Sequence, residues 1–434
     1  TTMPSSDDSL NDTKSSGGTR RPGVRRHPSY ELQRSFDRDT NVTNMTGDTL
    51  GSMSGDEEDG EDGDYALAPD LAERLVKRTE MRVAQVVASS SYVQKNCTLY
   101  QIPRFDRDEF VLGDLIAFGG FSNVYAIKNF LVESELTDEE DDDDEEELSS
   151  EIKTKKRYVI KNLNPKLAYN PKKLVVGAKD LVMEAHFLSA FEHENIIRLR
   201  GWCAAGISGF SQTGRADGFF LILDRLSITL SKRIHKWRDD EKARKNLSKG
   251  RQQAKNQLLM TRLKTAIDIA SAMNYLHKRR ILFRDLKPAN IGFDSKNILK
   301  VFDFGLAVEI PYHEDPDTTF KLAGNTGTSR YMAVEVIRKA PYNLLADVFS
   351  FSILLWEIMA LTKPYEGMLG PQVKESVSLY GERPSVPRSW PVAIRKLLRR
   401  GWSETISSRP SMEGILETLT KVYEASSKSG GKFF

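Results

Sequence analysis

Residues 281–305 read Ile281-Leu-Phe-Arg-Asp285-Leu-Lys-Pro-Ala-Asn290-Ile-Gly-Phe-Asp-Ser-Lys-Asn-Ile-Leu-Lys-Val-Phe-Asp303-Phe-Gly305, and this stretch decides the fold. Three of its groups suit phosphoryl transfer from a metal-bound nucleotide. Asp285 is a carboxylate able to orient and deprotonate a hydroxyl, while Asn290 and Asp303 offer oxygen ligands for Mg²⁺. Short apolar runs on either side of the turn-like Asp294-Ser-Lys-Asn297 predict a hairpin between those two ligands. A hairpin returns the chain to where it left, so Asn290 and Asp303 are expected to face one ion.

Phe283-Arg284-Asp285 is similar to the H-R-D catalytic loop of the eukaryotic protein kinases, and Asp303-Phe304-Gly305 to their D-F-G. A lone D-F-G arises easily by chance. Here both motifs stand at the family's spacing, with Leu286-Lys287-Pro288-Ala289-Asn290 between them. The resemblance covers residues 105–425 and implies an α+β, two-lobed fold. A small β-rich lobe with one main helix would run to about Leu223, and a large, mainly helical lobe would follow. It also implies ATP and Mg²⁺ as cofactors, Lys287 as a charge that neutralises the transferring group, and protein serine or threonine as acceptor.

Upstream, Phe110–Ile116 reads as a first strand. Ala117-Phe-Gly119-Gly120-Phe121-Ser-Asn-Val124 then resembles the family's glycine-rich loop over the phosphates. Glycine suits that task because no Cβ blocks close approach. Only Gly119 of the three formal glycines is kept; Ala117 and Ser122 replace the others, and Gly120 adds some freedom. Two lysines compete for the phosphate-binding role. Lys128 follows Val124 too closely and belongs to the loop's own strand, whereas Lys161 in Tyr158-Val-Ile-Lys lies on the next strand, where the family has it. Val159 replaces the family's alanine and narrows the adenine pocket. A helix over Ala178–Phe191 carries Glu184, expected to pair with Lys161, and it stands at the family's distance from His193. Phe219–Leu226 reads as a buried strand and hinge, with Leu223 at the back of the pocket and Asp224 and Leu226 beside adenine.

Downstream, Met332-Ala-Val-Glu335 is similar to the family's A-P-E, and Glu335 is expected to pair with Arg409. Asp347 looks like the helix aspartate that braces the catalytic loop. Arg284 would gain a partner from a phosphate on the activation segment, for which Thr318, Thr319, Thr326 and Ser329 are candidates, whereas Thr328 is assigned to substrate docking. Gly327-Thr328-Ser-Arg-Tyr-Met-Ala and Asp347-Val-Phe-Ser-Phe-Ser resemble the tyrosine-kinase-like group, which is mostly Ser/Thr-specific. The rival reading is a pseudokinase scaffold that binds nucleotide weakly, suggested by Ala117, Ser122, Val159, Phe283 and Val334. Against it, Lys161, Glu184, Asp285, Asn290 and Asp303 are all present.

The remaining segments are defined by composition. Residues 1–66 are polar, with seven acids among the nine residues 56–64, and read as a disordered tail. Arg25-Arg-His-Pro-Ser29 resembles a basophilic phosphorylation site but is common in such tails. Residues 67–104 read as a linker with a short helix near Pro69–Ala88. Ten consecutive carboxylates, Asp138–Glu147, sit in an acidic insert over 133–151, expected to be a solvated loop in the first hairpin. A basic insert over 231–257 has ten Lys or Arg between Lys232 and Lys255. Without aromatic interleaving beyond Trp237, it reads as a solvated, partly helical stretch and not as a nucleic-acid surface. Residues 426–434 read as a flexible end. The net charge of +2 says little about partners, and oligomeric state is not legible. Two cysteines, Cys97 and Cys203, argue against a disulfide framework. With no signal-like segment or apolar run of the ~20 residues that a membrane span needs, a cytoplasmic, possibly nuclear, location is expected.

Overall fold

The computed structural model describes residues 66–131, 158–244 and 251–428. The tail 1–65, the acidic insert 133–151, residues 245–250 of the basic stretch and the end 429–434 lie outside them.

The first elements are α1 (Pro69–Ser89) and α2 (Ser91–Asn96). Strands β1 (Arg104–Phe105), β2 (Phe110–Phe118), β3 (Ser122–Phe130) and β4 (Tyr158–Leu163) lead to α3 (Pro171–Ala190). Then come β5 (Leu199–Cys203), the single turn α4 (Gly209–Gln212) and β6 (Phe220–Asp224). The six strands form one sheet in the order β1-β5-β6-β4-β3-β2. All neighbours are antiparallel except β1, which joins β5 in parallel. All six residues of β4 are buried, four of them apolar and two, Lys161 and Asn162, polar.

The second part contains β7 (Ile228–Thr229), α5 (Leu230–Arg244), α6 (Arg251–His277) and β8 (Ile281–Leu282). The hairpin β9 (Ile291–Phe293) and β10 (Leu299–Val301) and the short strand β11 (Val308–Glu309) follow. Five helices finish the chain: α7 (Val334–Ile337), α8 (Leu345–Ala360), α9 (Gly370–Ser378), α10 (Val392–Gly401) and α11 (Met412–Lys428). Thirteen of the sixteen residues of α8 are buried, so it is the helix around which this part packs. This is the two-lobed α+β arrangement that the resemblance implies. The expected turn is present too: the Asp294 amide bonds the Ile298 carbonyl at 3.0 Å, and Asn297 takes φ +62°.

Three expectations need correction. Residues 67–104 are not a linker with a short helix. Ala72, Leu75, Thr79 and Val83 recur every three or four positions along twenty-one residues of α1, and this stripe packs on α3 and α4. The folded unit therefore extends at least to Ala66, which bridges Arg215, well before residue 105. The helix expected over Ala178–Phe191 begins earlier, at Pro171, where proline suits a first turn whose amides lack intrahelical partners. The basic stretch is not a solvated insert throughout: it is helical on both sides of 245–250, and Leu230, Ile234 and Trp237 of α5 are buried.

Candidate active site

Lys161 stands in the middle of β4, opposite Val124 of β3 and Leu221 of β6. Its ammonium lies 2.5 Å from Glu184 Oε2 on α3 and 2.9 Å from Asp303 Oδ1. Burial alone would lower the pKa of this lysine, but the Asp303 and Glu184 carboxylates outweigh burial and hold it above its ordinary value. Burial raises the Glu184 carboxyl against the pull of Lys161. For Asp303, loss of water works upward and the Lys161 ammonium downward, and the ammonium prevails. Lys128 is on the loop's own strand and exposed.

The glycine-rich turn closes through a hydrogen bond from the Gly119 amide to the Ser122 carbonyl at 2.8 Å, and Asn164 Nδ2 donates to the Gly119 carbonyl at 3.0 Å. A Cβ on Gly120 would meet nothing, so the tip borders open space. Ala117 lies opposite Val124, and Phe121 is half-buried beside Gly177 of α3. Val159 faces Leu223 across β4 and β6. Leu226 packs so tightly on Gly292 that a Cβ there would lie 2.6 Å from its Cδ1. The Asp224 side chain is engaged by Arg200 at 2.9 Å, and its backbone stands opposite Tyr158 of β4.

Asp285 is 5% exposed and collects donors from three directions. The Thr328 amide and hydroxyl reach its Oδ1 at 2.9 and 2.7 Å, Asn290 Nδ2 its Oδ2 at 3.1 Å, and Lys287 Nζ its Oδ2 at 2.8 Å. Lys287 also donates to the Thr328 hydroxyl at 3.0 Å. Gly327 makes this approach possible: at φ +99° its missing Cβ would sit 2.3 Å from the Arg284 carbonyl. Asp347 accepts the Phe283 and Arg284 amides at 2.8 and 2.9 Å, which fixes the loop from below. Phe283 is fully buried edge-on to Phe304, ring centroids 5.0 Å apart, so its side chain packs within the core.

The guanidinium of Arg409 forms a two-pronged pair with Glu335 at 2.6 and 2.8 Å. Arg284 Nε donates to the Leu306 carbonyl at 2.6 Å, and Arg284 and Thr326 line one small cavity. Thr318 bonds His313 at 2.7 Å, whereas Thr319 and Ser329 are half-buried. Sequence reasoning missed Glu309. This carboxylate ends β11 and gathers Ser90, Ser91, the Tyr92 amide and Arg280 at 2.6–2.8 Å. Its only local signal is an acid inside the apolar run Leu306-Ala-Val-Glu309-Ile.

Residues 145–419 match the family model described as protein tyrosine and serine/threonine kinase. Serine/threonine-protein kinase STY46 of Arabidopsis thaliana is 38% identical over 172 residues, 40% of this chain and 29% of that relative. Serine/threonine/tyrosine-protein kinase HT1 of the same plant is 38% identical over 171 residues, covering 39% and 42%. Dual specificity protein kinase shkB of Dictyostelium discoideum is 40% identical over 161 residues, covering 36% and 24%. The match thus spans less than half the length of these curated relatives.

Proposed function

Because the chain belongs to the protein tyrosine and serine/threonine kinase family, we propose that it transfers the γ-phosphoryl group of ATP to serine or threonine of protein substrates. The observation that carries this reading is the buried Lys161 ammonium held between Glu184 and Asp303, with Asp285 and Asn290 on the loop below. The donor set suits the cofactors: Asn290 and Asp303 are hard oxygen ligands of the kind Mg²⁺ takes, and the glycine turn leaves open space for phosphates. ATP bound with Mg²⁺ supplies the phosphoryl group.

The chain's own residues do the rest. Glu184 holds the Lys161 ammonium at the phosphate position. Val159, Leu223 and Leu226 make an apolar slot for adenine. Asp285 orients the acceptor hydroxyl and takes its proton, and Lys287, beside Asp285, offsets negative charge during transfer. Thr328, hydrogen-bonded to both, borders the acceptor position. A catalytically silent scaffold is the poorer reading, since each charge the chemistry needs is present and engaged. Arg284 and Thr326 beside one cavity support a regulatory phosphate on Thr326, with Thr318, Thr319 and Ser329 as further candidates. Two free thiols and, among the described residues, no helix long and apolar enough to cross a membrane support a cytoplasmic or nuclear setting.

Purified chain with Mg²⁺ and ATP should phosphorylate itself or a basic protein on serine and threonine. Asp285→Asn and Lys161→Met should each lower the rate at least about a hundredfold, roughly 3 kcal/mol of barrier. Unchanged transfer in both variants, or phosphate on tyrosine alone, overturns the assignment.

A further inference from the structure

We propose that Tyr92 and Thr98 are positioning residues, part of a strap over Ser90–Thr98 that fixes α3 and so keeps Glu184 on Lys161. The proposal rests on the kinase reading for its kinetic consequence, but not for its geometry.

The strap grips the carboxyl end of α3, where helix carbonyls lack intrahelical partners. The Tyr92 hydroxyl donates to the Ala190 carbonyl at 2.9 Å, and the Thr98 hydroxyl donates to the Ser189 carbonyl at 2.6 Å. Between them, Cys97 Sγ lies 3.4 Å from His186 and 3.2 Å from the Ser189 hydroxyl. The Tyr92 ring stacks on Phe191, centroids 6.0 Å apart. Glu184 lies two residues before His186 on the same helix, so the segment that is gripped includes the turn that carries the carboxylate.

The other end of the strap is anchored on the loops of the second part. Glu309, six residues beyond Asp303, takes the Ser90 and Ser91 hydroxyls and the Tyr92 amide. Arg280, at the entrance to the catalytic loop, bonds both Ser91 and Glu309, and its neighbour Arg279 donates to the Tyr92 hydroxyl at 3.0 Å. Glu309 is paired across β11 and β8 with Ile281. One short segment therefore ties α3, the catalytic loop and the strand after Asp303 together. An outward swing of α3, which would part Glu184 from Lys161, would break the Tyr92–Ala190 and Thr98–Ser189 bonds. Contacts made in only one of two states bias the equilibrium toward that state.

The test uses the full chain carrying Tyr92→Phe and Thr98→Val together, which remove the two hydroxyls and keep ring and volume. Amide hydrogen exchange in Pro171–Ala190 should quicken while exchange in Leu345–Ala360 stays as in wild type. The turnover number should fall about five- to tenfold, the size of a modest coupling. Thr98→Ser combined with wild-type Tyr92, which retains both hydroxyls, should behave as wild type. Wild-type exchange and turnover in the double variant overturn the proposal; so does faster exchange in both helices with a lowered Tm, which marks general loosening. Should wild type transfer no phosphate, the kinase reading fails, and the exchange measurement still decides the strap.

Discussion

Arg284 and Asp303 hold φ at +71° and +72°, a region that costs a side-chain-bearing residue about 1–2 kcal/mol. Their surroundings keep them there: Asp347 takes the Arg284 amide, and Lys161 takes the Asp303 carboxylate. The buried Glu335–Arg409 pair allows a clean measurement of what such pairing is worth. Glu335→Ala would strand the Arg409 guanidinium, whose side chain is fully buried, and should cost about 3–5 kcal/mol in urea unfolding. Glu335→Ala with Arg409→Met should recover much of that loss; equal losses in both variants would mean that packing, not the stranded charge, sets the cost. At this scale the sequence was informative where the chemistry is local. Asp285, Asn290 and Asp303 fall within nineteen positions and form a recognisable pattern. Glu309 was not legible, because its partner Ser90 is 219 residues away and neither residue belongs to a motif.

Helix α8 carries a buried carboxyl with no cation in contact among the described residues. Burial pushes Glu357 from the ordinary 4.5 up to about 7, against the hydroxyl of Tyr331 at 2.5 Å and more distant cations. A raised carboxyl favours the neutral form in the folded state. Its contribution to stability is therefore fully present below the unfolded value of 4.5 and is lost as pH rises through about 7. Glu357→Gln keeps an acceptor for Tyr331 and does not titrate. Relative to that variant, wild type should lose about 3 kcal/mol of unfolding free energy between pH 4.5 and 8. Parallel pH profiles for the two proteins would refute the shift. The limits of helix reading lie in α1. Leu71 and Val76, which look like core positions, are only partly buried, while Thr79 is wholly buried. A polar residue in the apolar stripe disguises the period, and tertiary packing on α3 restores it.

For the whole molecule, the two-lobed architecture was legible, but its starting point was not. Leu67, Ala72, Leu75 and Val83 are at most 5% exposed, and β1 completes the sheet, so residues 66–104 belong to the folded body. A fragment of residues 105–428 should accordingly melt roughly 10 °C or more below one of residues 66–428, since each ~1 kcal/mol shifts Tm by about 2–4 °C at such sizes. Equal melting temperatures would return the segment to linker status. The long reach of this segment also sets an order of events during synthesis. Ser90 is added to the chain 219 residues before Glu309. At about 5–20 residues per second, that interval is roughly 10–45 s. In its first part the stripe of α1 lacks α3 and α4, and throughout it the Ser90 hydroxyl and the Tyr92 amide lack Glu309. A segment translated early in the folded body thus waits for a partner made more than two hundred residues later.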